Sequence, residues 1–304
     1  MKLLKQVLGI DVAQKELVVT LGRMHDDLTI ELYAYNIFKN TEKGFLKLTE
    51  WVNKLTDKEI KVRYVMEATG VYHQKFAYYL DEKEEDISIV LPNKISNYMR
   101  TLDTKTITDK TCSEGIARFG LERKLDNWKK PKEIYRLLKQ LTRERRQITD
   151  ERTIVKNQLH AEETEAMPHF SSIERLKRRI MFLNTLEKEI KNEIEISVKE
   201  NKELMVDINN ICTIPGISIL TAATIIGETN GFELIRSKKQ LASYAGLDVK
   251  EKLSGTSVKG KPSISKKGNR HLRSCLHLPA LSTIKWDENF RNQYARIVAK
   301  HGIK

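Results

Sequence analysis

Two acidic residues stand where strand-forming runs end, and their type and spacing suit metal-assisted chemistry. Asp11 follows residues 6–10, and Glu67 follows residues 62–66. An acid at the carboxyl end of a buried strand is costly unless something neutralises it. Two such acids on neighbouring strands would form a site for a hard divalent cation such as Mg²⁺ or Mn²⁺. Metal ions held in this way promote the cleavage of phosphodiesters, so the pattern favours an enzyme that acts on nucleic acid.

A third acid extends this site, although each acid also has a purely structural interpretation. Asp109 lies just before a predicted helix, where it could join the site or serve as the N-cap of the helix. Asp11 could instead cap a hairpin between the first two strands. The small residues Ala68-Thr69-Gly70 after Glu67 give the close-packed exit that a metal site needs. Three acids would leave coordination positions for water and phosphate.

The elements that would position these acids follow from the first third of the chain. Its apolar periodicity predicts strands at 7–10, 16–22 and 29–37, and then a helix at 41–55 with Thr41 as N-cap. The next predicted elements are a strand at 62–66, a helix at 72–82, a strand at 87–91, a short helix after Pro92 and a helix around 111–119. Three strands followed by alternating helices and strands are typical of an RNase H-like, or RuvC-like, α/β domain, which we predict over 1–125.

The middle of the chain, 126–205, predicts a long helical hairpin or an oligomerising coiled coil. Apolar residues recur at helical spacing over 134–159 and 173–194, with a break at Met167-Pro168-His169. Basic residues line the polar faces, where they form either a solvated surface or a stripe that tracks phosphates. These residues are Arg143, Arg145, Arg146, Arg152, Lys177, Arg178 and Arg179.

The last part, 206–304, is predicted to be an all-α basic domain. Ile214-Pro215-Gly216-Ile217 has the form of a helix-hairpin-helix turn that offers backbone N–H groups to a phosphate, or it is an ordinary corner between helices. Residues 250–273 carry eight Lys or Arg against one carboxylate. Within them, Ser254 could attack a phosphorus atom or could simply donate a hydrogen bond to a phosphate. His271 is interpreted as a packing or phosphate-binding residue. The predicted nucleic-acid contacts are Lys259, Lys261, Lys266, Lys267, Arg270, Arg273 and Gly216.

The composition agrees with a polyanionic partner. The 304 residues include 54 Lys or Arg against 41 Asp or Glu, a formal charge of +13. Such a surplus favours nucleic acid, although it also serves solubility. The sequence has no apolar stretch long enough for a membrane span and no secretory signal. Its three separated cysteines suggest neither a disulfide framework nor a zinc site, so we expect a cytoplasmic, nucleoid-associated protein.

Taken together, these motifs resemble an insertion-sequence transposase of the DEDD type, in the family numbered one-ten, from about Leu8 to the end of the chain. The resemblance implies that Asp11, Glu67 and Asp109 bind metal and that Ser254 forms a covalent phosphoserine link to DNA. It also implies a structured noncoding bridge RNA that guides recognition of donor and target DNA, and a tetramer of two dimers with composite active sites. The motifs that carry the resemblance are Gly9-Ile10-Asp11, Met66-Glu67-Ala68-Thr69-Gly70, Thr108-Asp109-Lys110-Thr111, Ile214-Pro215-Gly216, Tyr244-Ala245-Gly246-Leu247, Ser254-Gly255 and residues 264–273.

One position departs from the family pattern. The fourth acid of the family falls three residues after the third, where this chain has Cys112. A neutral thiol is a poor ligand for Mg²⁺, which prefers oxygen. Glu114 is the preferred substitute, although five-residue spacing rotates it away from the face of Asp109, and Asp103 is a weaker one. Either Glu114 completes the metal site, or metal binding is impaired.

Three functions remain open from the sequence. The first is a Mg²⁺-dependent transposase or site-specific recombinase with a serine nucleophile. The second is a metal-dependent junction nuclease that uses water and makes no covalent intermediate. The third is a remnant that binds nucleic acid without cutting it, which Cys112 favours.

Overall fold

The computed structural model describes residues 2–68, 70–102, 106–233, 235–250, 253–254, 258–259 and 263–301. The side chains at 253, 254, 258, 259 and 301 fall outside this description. The chain divides into two compact units, Met1–Lys130 and Pro131–Lys304. Within the described ranges, no helix is both long and apolar enough to cross a membrane.

The first unit is an α/β domain built on a mixed sheet. Its elements are β1 (Leu3–Val12), β2 (Glu16–His25), β3 (Ile30–Lys39), α1 (Glu42–Leu55), β4 (Val62–Glu67), α2 (Gln74–Asp81), β5 (Asp86–Val90), α3 (Pro92–Met99) and α4 (Asp109–Glu122). The sheet has the order β3-β2-β1-β4-β5, in which β1 is antiparallel to β2 and parallel to β4. This element order and sheet order are those of an RNase H-like fold, so the predicted class of the N-terminal domain is confirmed.

Helices cover both faces of this sheet because the side chains of its central strand alternate in direction. Leu8 and Ile10 of β1 share a hydrophobic cluster with Phe45 of α1. Val7 belongs to the cluster that contains Ile116 of α4 on the opposite face. The central strand is therefore apolar from Val7 to Ile10, and Asp11 is an acid next to this apolar run.

Element boundaries differ from the sequence predictions by a few residues. Thr41 is the N-cap of α1, as predicted, and its side chain accepts a hydrogen bond from the backbone N–H of Gly44. Glu67 is the last residue of β4 and does not follow it. Helix α4 begins at Asp109, earlier than predicted, because Thr108 caps it. The earlier start places Asp109 inside the helix.

The second unit is mainly helical. Its elements are α5 (Glu133–Thr164), α6 (Phe170–Glu200), α7 (Lys202–Cys212), α8 (Ile219–Thr229), α9 (Lys238–Tyr244), β6 (Val249–Lys250), β7 (Leu253–Ser254), β8 (Val258–Lys259), β9 (Ser263–Ile264), α10 (Arg270–Cys275), α11 (His277–Trp286) and α12 (Glu288–His301). Arg145 pairs with Glu187, and Arg179 with Glu151, so α5 and α6 form an antiparallel hairpin within the chain.

The prediction that the C-terminal part is all-α is wrong. β6 pairs with β9, and β7 with β8, in two short antiparallel ladders. The β-branched residues Val249, Val258 and Ile264 in these strands favour extended backbone over helix.

The sequence predicted three parts, whereas the structure has two compact units. The reason is a shared core: Leu138 of α5 and Ile194 of α6 lie in the same hydrophobic cluster as Ile208 of α7 and Ala223 of α8. The helical hairpin therefore packs with the C-terminal residues. The division at 125 and 205 stays a prediction.

Candidate active site

Strands β1 and β4 end together at one edge of the sheet, and each ends near a candidate acid. The last pair in their parallel register is Ile10 with Met66. Asp11 and Glu67 are the next residue on each strand, so both point to the same face of the sheet. Glu67 shares that face with Val65, which belongs to the cluster packed against α4. The sheet therefore directs both carboxylates towards the face that α4 covers.

Helix α4 brings the third acid to this edge. The hydroxyl of Thr108 accepts a hydrogen bond from the N–H of Thr111, and the hydroxyl of Thr111 accepts one from the N–H of Thr108. This reciprocal capping box makes Thr108 the N-cap. Asp109 is therefore the first residue of the helix, and its alternative role as N-cap is excluded. A carboxylate in the first turn is also favoured by the helix dipole.

Close packing fixes α4 over β1. A Cβ atom at Gly9 would lie 2.3 Å from the backbone N of Ala117 and 2.4 Å from the backbone O of Ser113. Only glycine allows a helix backbone to approach the strand this closely. The buried hydroxyls of Ser113 and Thr20 form a hydrogen bond of 2.7 Å, which also ties the helix to β2.

The other end of α4 is held by Lys5 from the start of β1. Its ammonium donates hydrogen bonds to the backbone oxygens of Leu121 at 3.0 Å and Arg123 at 2.9 Å. A cation at these last carbonyls caps the helix and complements its dipole. Burial, followed by the charge of Arg63, lowers the pKa of Lys5. Contacts at both ends thus set the position of Asp109.

The acids share one electrostatic environment. Burial, followed by the negative charges of Asp109 and Glu67, raises the pKa of Asp11 to about 6, against the opposing effect of the Val12 N–H. Burial and then the same three carboxylates raise the pKa of the Cys112 thiol. The structure thus brings together acids from β1, β4 and α4, as the sequence predicted. Like charges so close together favour the protonated form of Asp11.

We define the acidic cluster as Asp11, Glu67, Asp109 and Cys112. Its fourth member, Cys112, carries a neutral thiol where the family pattern has a carboxylate. Glu114, the proposed substitute, lies 4.0 Å from the ammonium of Lys110. A role for Glu114 as a metal ligand stays a prediction, and Asp103 lies outside the described residues. Among the residues that the structure describes, no group of three or more His, Cys, Asp or Glu side chains is arranged to hold a metal ion.

The candidate nucleophile lies in the short ladders of the second unit. The backbone of Ser254 belongs to β7, and that of Lys259 to β8. Both side chains, and the whole of Lys261, lie outside the described residues. Their roles in catalysis and nucleic-acid binding stay predictions.

The basic segment after β9 is described, and its cations divide into two groups. Lys266, Lys267 and Arg270 are exposed. Arg273 is partly buried, and its guanidinium donates a hydrogen bond of 2.7 Å to the backbone oxygen of Ala245. The first three side chains are accessible to a polyanion, whereas Arg273 contributes to the packing of the segment.

The Pro-Gly turn joins α7 to α8, as the predicted motif requires. Gly216 has a φ of +86°, a conformation that favours glycine. A Cβ atom there would lie 2.4 Å from Cβ of Ser282 in α11, and the hydroxyl of Thr283 donates to the backbone oxygen of Pro215 at 3.1 Å. Helix α11 therefore covers one side of the turn. Phosphate binding at Gly216 stays a prediction.

Most of the cations predicted to line the hairpin make ion pairs within the chain. The pairs are Arg143–Glu228, Arg145–Glu187, Arg146–Asp150, Arg152–Glu187, Lys177–Glu163 and Arg179–Glu151. Burial alone would raise the pKa of Glu187, but hydrogen bonds from Lys191, Arg152 and Arg145 lower it to about 2. The cluster at Glu187 holds α5 against α6, so Arg145 and Arg152 have a structural role in the hairpin.

Sequence analysis missed a buried polar network in the second unit. The side chain of Glu228 has no exposed surface, and its carboxylate accepts hydrogen bonds from Arg143 at 2.6 and 2.9 Å and from Asn269 at 2.7 Å. Asn269 also caps α10 through the N–H groups of His271 and Leu272. An acid at the end of the apolar run Ile225-Ile226-Gly227 was the signal for this network. It anchors the basic segment to α5 and α8.

Comparisons with known proteins agree with the predicted resemblance. A family model for DEDD transposases of the IS110 type matches residues 8–168, and the model described as "Transposase IS116/IS110/IS902 family" matches residues 208–295. The chain is similar to the pilin gene-inverting protein of Moraxella lacunata, with 29% identity over 91% of this chain and 82% of the relative. The corresponding protein of Moraxella bovis is 30% identical over 80% of this chain and 74% of the relative.

The similarity to solved structures is weaker than the similarity to these relatives in sequence. RuvC of Thermus thermophilus is 10% identical, and the match covers 40% of this chain and 99% of the RuvC chain, with a TM-score of 0.31. A score this low carries no argument about function. The sheet order and the family matches together define a DNA transposase or recombinase with an RNase H-like domain. The chain belongs to the IS110 transposase family, and the predicted enzyme class is confirmed.

Proposed function

We propose that this transposase is a metal-dependent, site-specific DNA recombinase in which Asp11, Glu67 and Asp109 bind a divalent cation and Ser254 is the nucleophile. The observation that supports this most directly is the raised pKa of Asp11, which reflects burial beside two further carboxylates. Neighbouring acids that repel one another are held together at a cost, which supports a function that uses their charge.

The donor chemistry fits a hard cation. Carboxylate oxygens are the ligands that Mg²⁺ and Mn²⁺ prefer, and their accumulated negative charge would be neutralised by a divalent ion. Asp11, Glu67 and Asp109 would hold the ion, with Glu114 as the proposed fourth ligand. When bound, such an ion polarises a phosphate and stabilises the charge that develops during cleavage.

The proposed reaction conserves the energy of the phosphodiester. The hydroxyl oxygen of Ser254 bonds to phosphorus and gives up its proton, while the bond to the leaving strand oxygen breaks and that oxygen gains a proton. The cations at Lys266 and Lys267 would stabilise the pentacoordinate transition state. Attack by a strand hydroxyl on the phosphoserine then releases Ser254 and rejoins the DNA.

The proposed partners are double-stranded donor and target DNA, a structured noncoding guide RNA and further copies of the chain. The formal charge of +13 supports binding to nucleic acid. The names of the Moraxella relatives support inversion of a DNA segment as one outcome of the reaction. The guide RNA and an active tetramer of two dimers rest on the family resemblance.

The proposal is tested by trapping the covalent intermediate. The full chain would be mixed with Mg²⁺, the RNA that copurifies from its host and a suicide DNA substrate that cannot be religated. We expect a protein–DNA adduct with the wild-type chain, none with Ser254→Ala, and normal amounts with the matched control Ser257→Ala. Adducts that persist in Ser254→Ala would exclude this residue as the nucleophile. Mg²⁺-dependent cleavage without any adduct would favour the junction nuclease.

A second candidate is a catalytically impaired protein that still binds nucleic acid. The presence of Cys112 among the acids favours it, because a neutral thiol replaces a charged oxygen ligand. Strand cleavage by the purified protein would exclude this candidate. Absence of cleavage in wild type with recovery in Cys112→Asp would support it.

A further inference from the structure

The second unit contains a cavity that the proposed reaction does not use. Its volume is about 830 Å³, it is open to solvent on one side, and it is lined by α5, the turn before α8, α8 itself, α10 and α11. A sphere of this volume is about 12 Å across. That diameter equals the width of the major groove of DNA, which is only part of the width of the whole duplex. A whole duplex cannot enter such a space, whereas cavities of about 300–1,000 Å³ hold single small ligands.

The charge of this cavity, which we call the α5–α8–α10 cavity, is positive. Four arginines line it, at 143, 145, 146 and 270, together with the carboxylates of Glu228 and Asp150. Arg143 is committed to Glu228, and Arg145 to Glu187. In the described part of the chain, Arg270 has no carboxylate partner.

Arg146 is also available to an anion. Its ion pair with Asp150 is 2.9 Å long, but both side chains are more than half exposed, at 54% and 57%. Such a pair contributes little to stability and exchanges readily for a phosphate. A second hydrogen bond, to the hydroxyl of Ser274 at 3.0 Å, holds Arg146 beside α10. Burial, followed by the charges of Arg143, Arg270 and Arg146, lowers the pKa of His271 against the opposing charge of Glu228.

The rest of the lining is apolar or neutral. Leu220, Leu278 and Pro279 provide apolar surface, and Ser218 and Thr221 provide hydroxyl groups. An inorganic phosphate would use only the cationic part. A nucleotide matches the whole lining, because its phosphate is anionic and its sugar and base need contact surface and hydrogen-bond partners.

We propose that the α5–α8–α10 cavity binds one unstacked, phosphodiester-linked nucleotide, with its phosphate at Arg146 and Arg270 and its sugar and base against Leu220 and Leu278. This inference rests on the proposed nucleic-acid substrate. The strand that enters the cavity is single-stranded DNA or single-stranded RNA, which share this chemistry. Removing a base from its stack costs more free energy in a duplex than in a loop or at an end, so unpaired strands are the favoured source of this nucleotide.

The test uses the full chain and short single-stranded oligonucleotides with a central 5-iodouracil, in separate DNA and RNA arms. Binding is measured over a range of salt concentrations, and ultraviolet crosslinks are mapped by mass spectrometry. We expect crosslinks at residues 270–279 in at least one arm, and the tighter arm identifies the strand.

Two kinds of variant separate this cavity from a general cationic surface. Leu278→Trp fills the rim and should weaken binding about tenfold without changing the salt dependence. Arg146→Gln and Arg270→Gln should each weaken it about tenfold and lower the salt slope by about one. Arg175→Gln, on the exposed surface of α6, is the matched control and should change the affinity much less. Leu278 is 71% exposed, so its replacement leaves the core intact.

The outcomes distinguish the cavity from the proposed reaction. Wild-type affinity in Leu278→Trp, or crosslinks confined to other residues, would overturn the inference. Binding is measured with Ser254→Ala and without Mg²⁺, so a failure of the serine or metal chemistry leaves the result unaffected. A complete absence of oligonucleotide binding would refute the cavity, while adduct formation on duplex DNA would still support the reaction.

Discussion

Replacing Asp11 by Asn should stabilise the metal-free protein near pH 7. The pKa of Asp11 rises from 3.8 to about 6 on folding, so its ionised form is disfavoured in the folded state. At about 1.36 kcal/mol per pKa unit, this shift corresponds to about 3 kcal/mol. Solvent screening of a partly exposed group reduces the expected gain to about 1–2 kcal/mol. Asn keeps an oxygen that can accept the hydrogen bond of the Val12 N–H.

The sign of the effect fixes its pH dependence. In the wild type, the cost of ionising Asp11 grows as the pH rises from about 4 to about 6 and is complete above that range. Below about pH 3 the carboxyl is mostly neutral in both states, so wild type and Asp11→Asn should have similar stability there. Urea unfolding at both ends of this range, with a chelator present, measures the difference.

A control variant and the response to Mg²⁺ test whether charge repulsion at Asp11 is the cause. Asp27→Asn is the control, because hydrogen bonds from Thr29 lower the pKa of this exposed acid and its removal should not stabilise the protein. Added Mg²⁺ should raise the melting temperature of wild type more than that of Asp11→Asn. The argument from charge repulsion would be refuted if Asp11→Asn were less stable than wild type in chelator near pH 7. It would also be refuted if the difference in stability between the two proteins did not change with pH.

Three other substitutions test the positioning of the site and the hairpin. Gly9→Ala should cost about 2–3 kcal/mol in urea unfolding and weaken the Mg²⁺ response, because its Cβ would meet the backbone of α4. Gly70→Ala, with no neighbour nearer than 3.9 Å, should cost only the ~1 kcal/mol of its left-handed backbone conformation, at a φ of +56°, and should leave the Mg²⁺ response unchanged. Glu187→Gln should cost about 3 kcal/mol of stability near pH 7, because three cations lose their partner. The stabilisation that Glu187 gives the wild type should fade as the pH falls from 4.5 to about 2. A variant whose stability falls with acid as much as that of wild type would contradict this role of Glu187. Cys112→Asp should lower the metal-free stability and enlarge the Mg²⁺-induced rise in melting temperature, whereas the neutral Cys112→Ser should do neither.

The sequence predicted the parts of the site that depend on local patterns. An apolar run followed by an acid identified Asp11 and Glu67, and the order of strands and helices identified the sheet that brings them together. The start of α4 was less accurate, because an acid and a threonine both suit the N-cap and only the three-dimensional hydrogen bonds select Thr108.

Contacts between distant residues could not be predicted in this way. Thr20 and Ser113 are 93 positions apart, and Lys5 reaches the end of α4 across more than one hundred residues. The pairing of Arg143 with Glu228 spans 85 positions and joins helices whose faces look ordinary in sequence. Periodicity gives the buried face of each element, but it does not give the neighbour on that face.

The placement of α4 has a consequence for the making of the protein. Asp109 reaches the sheet only when this helix has formed, and its last turn is tied to the first strand by Lys5. A growing chain on the ribosome therefore cannot gather its three carboxylates until about residue 122 has emerged.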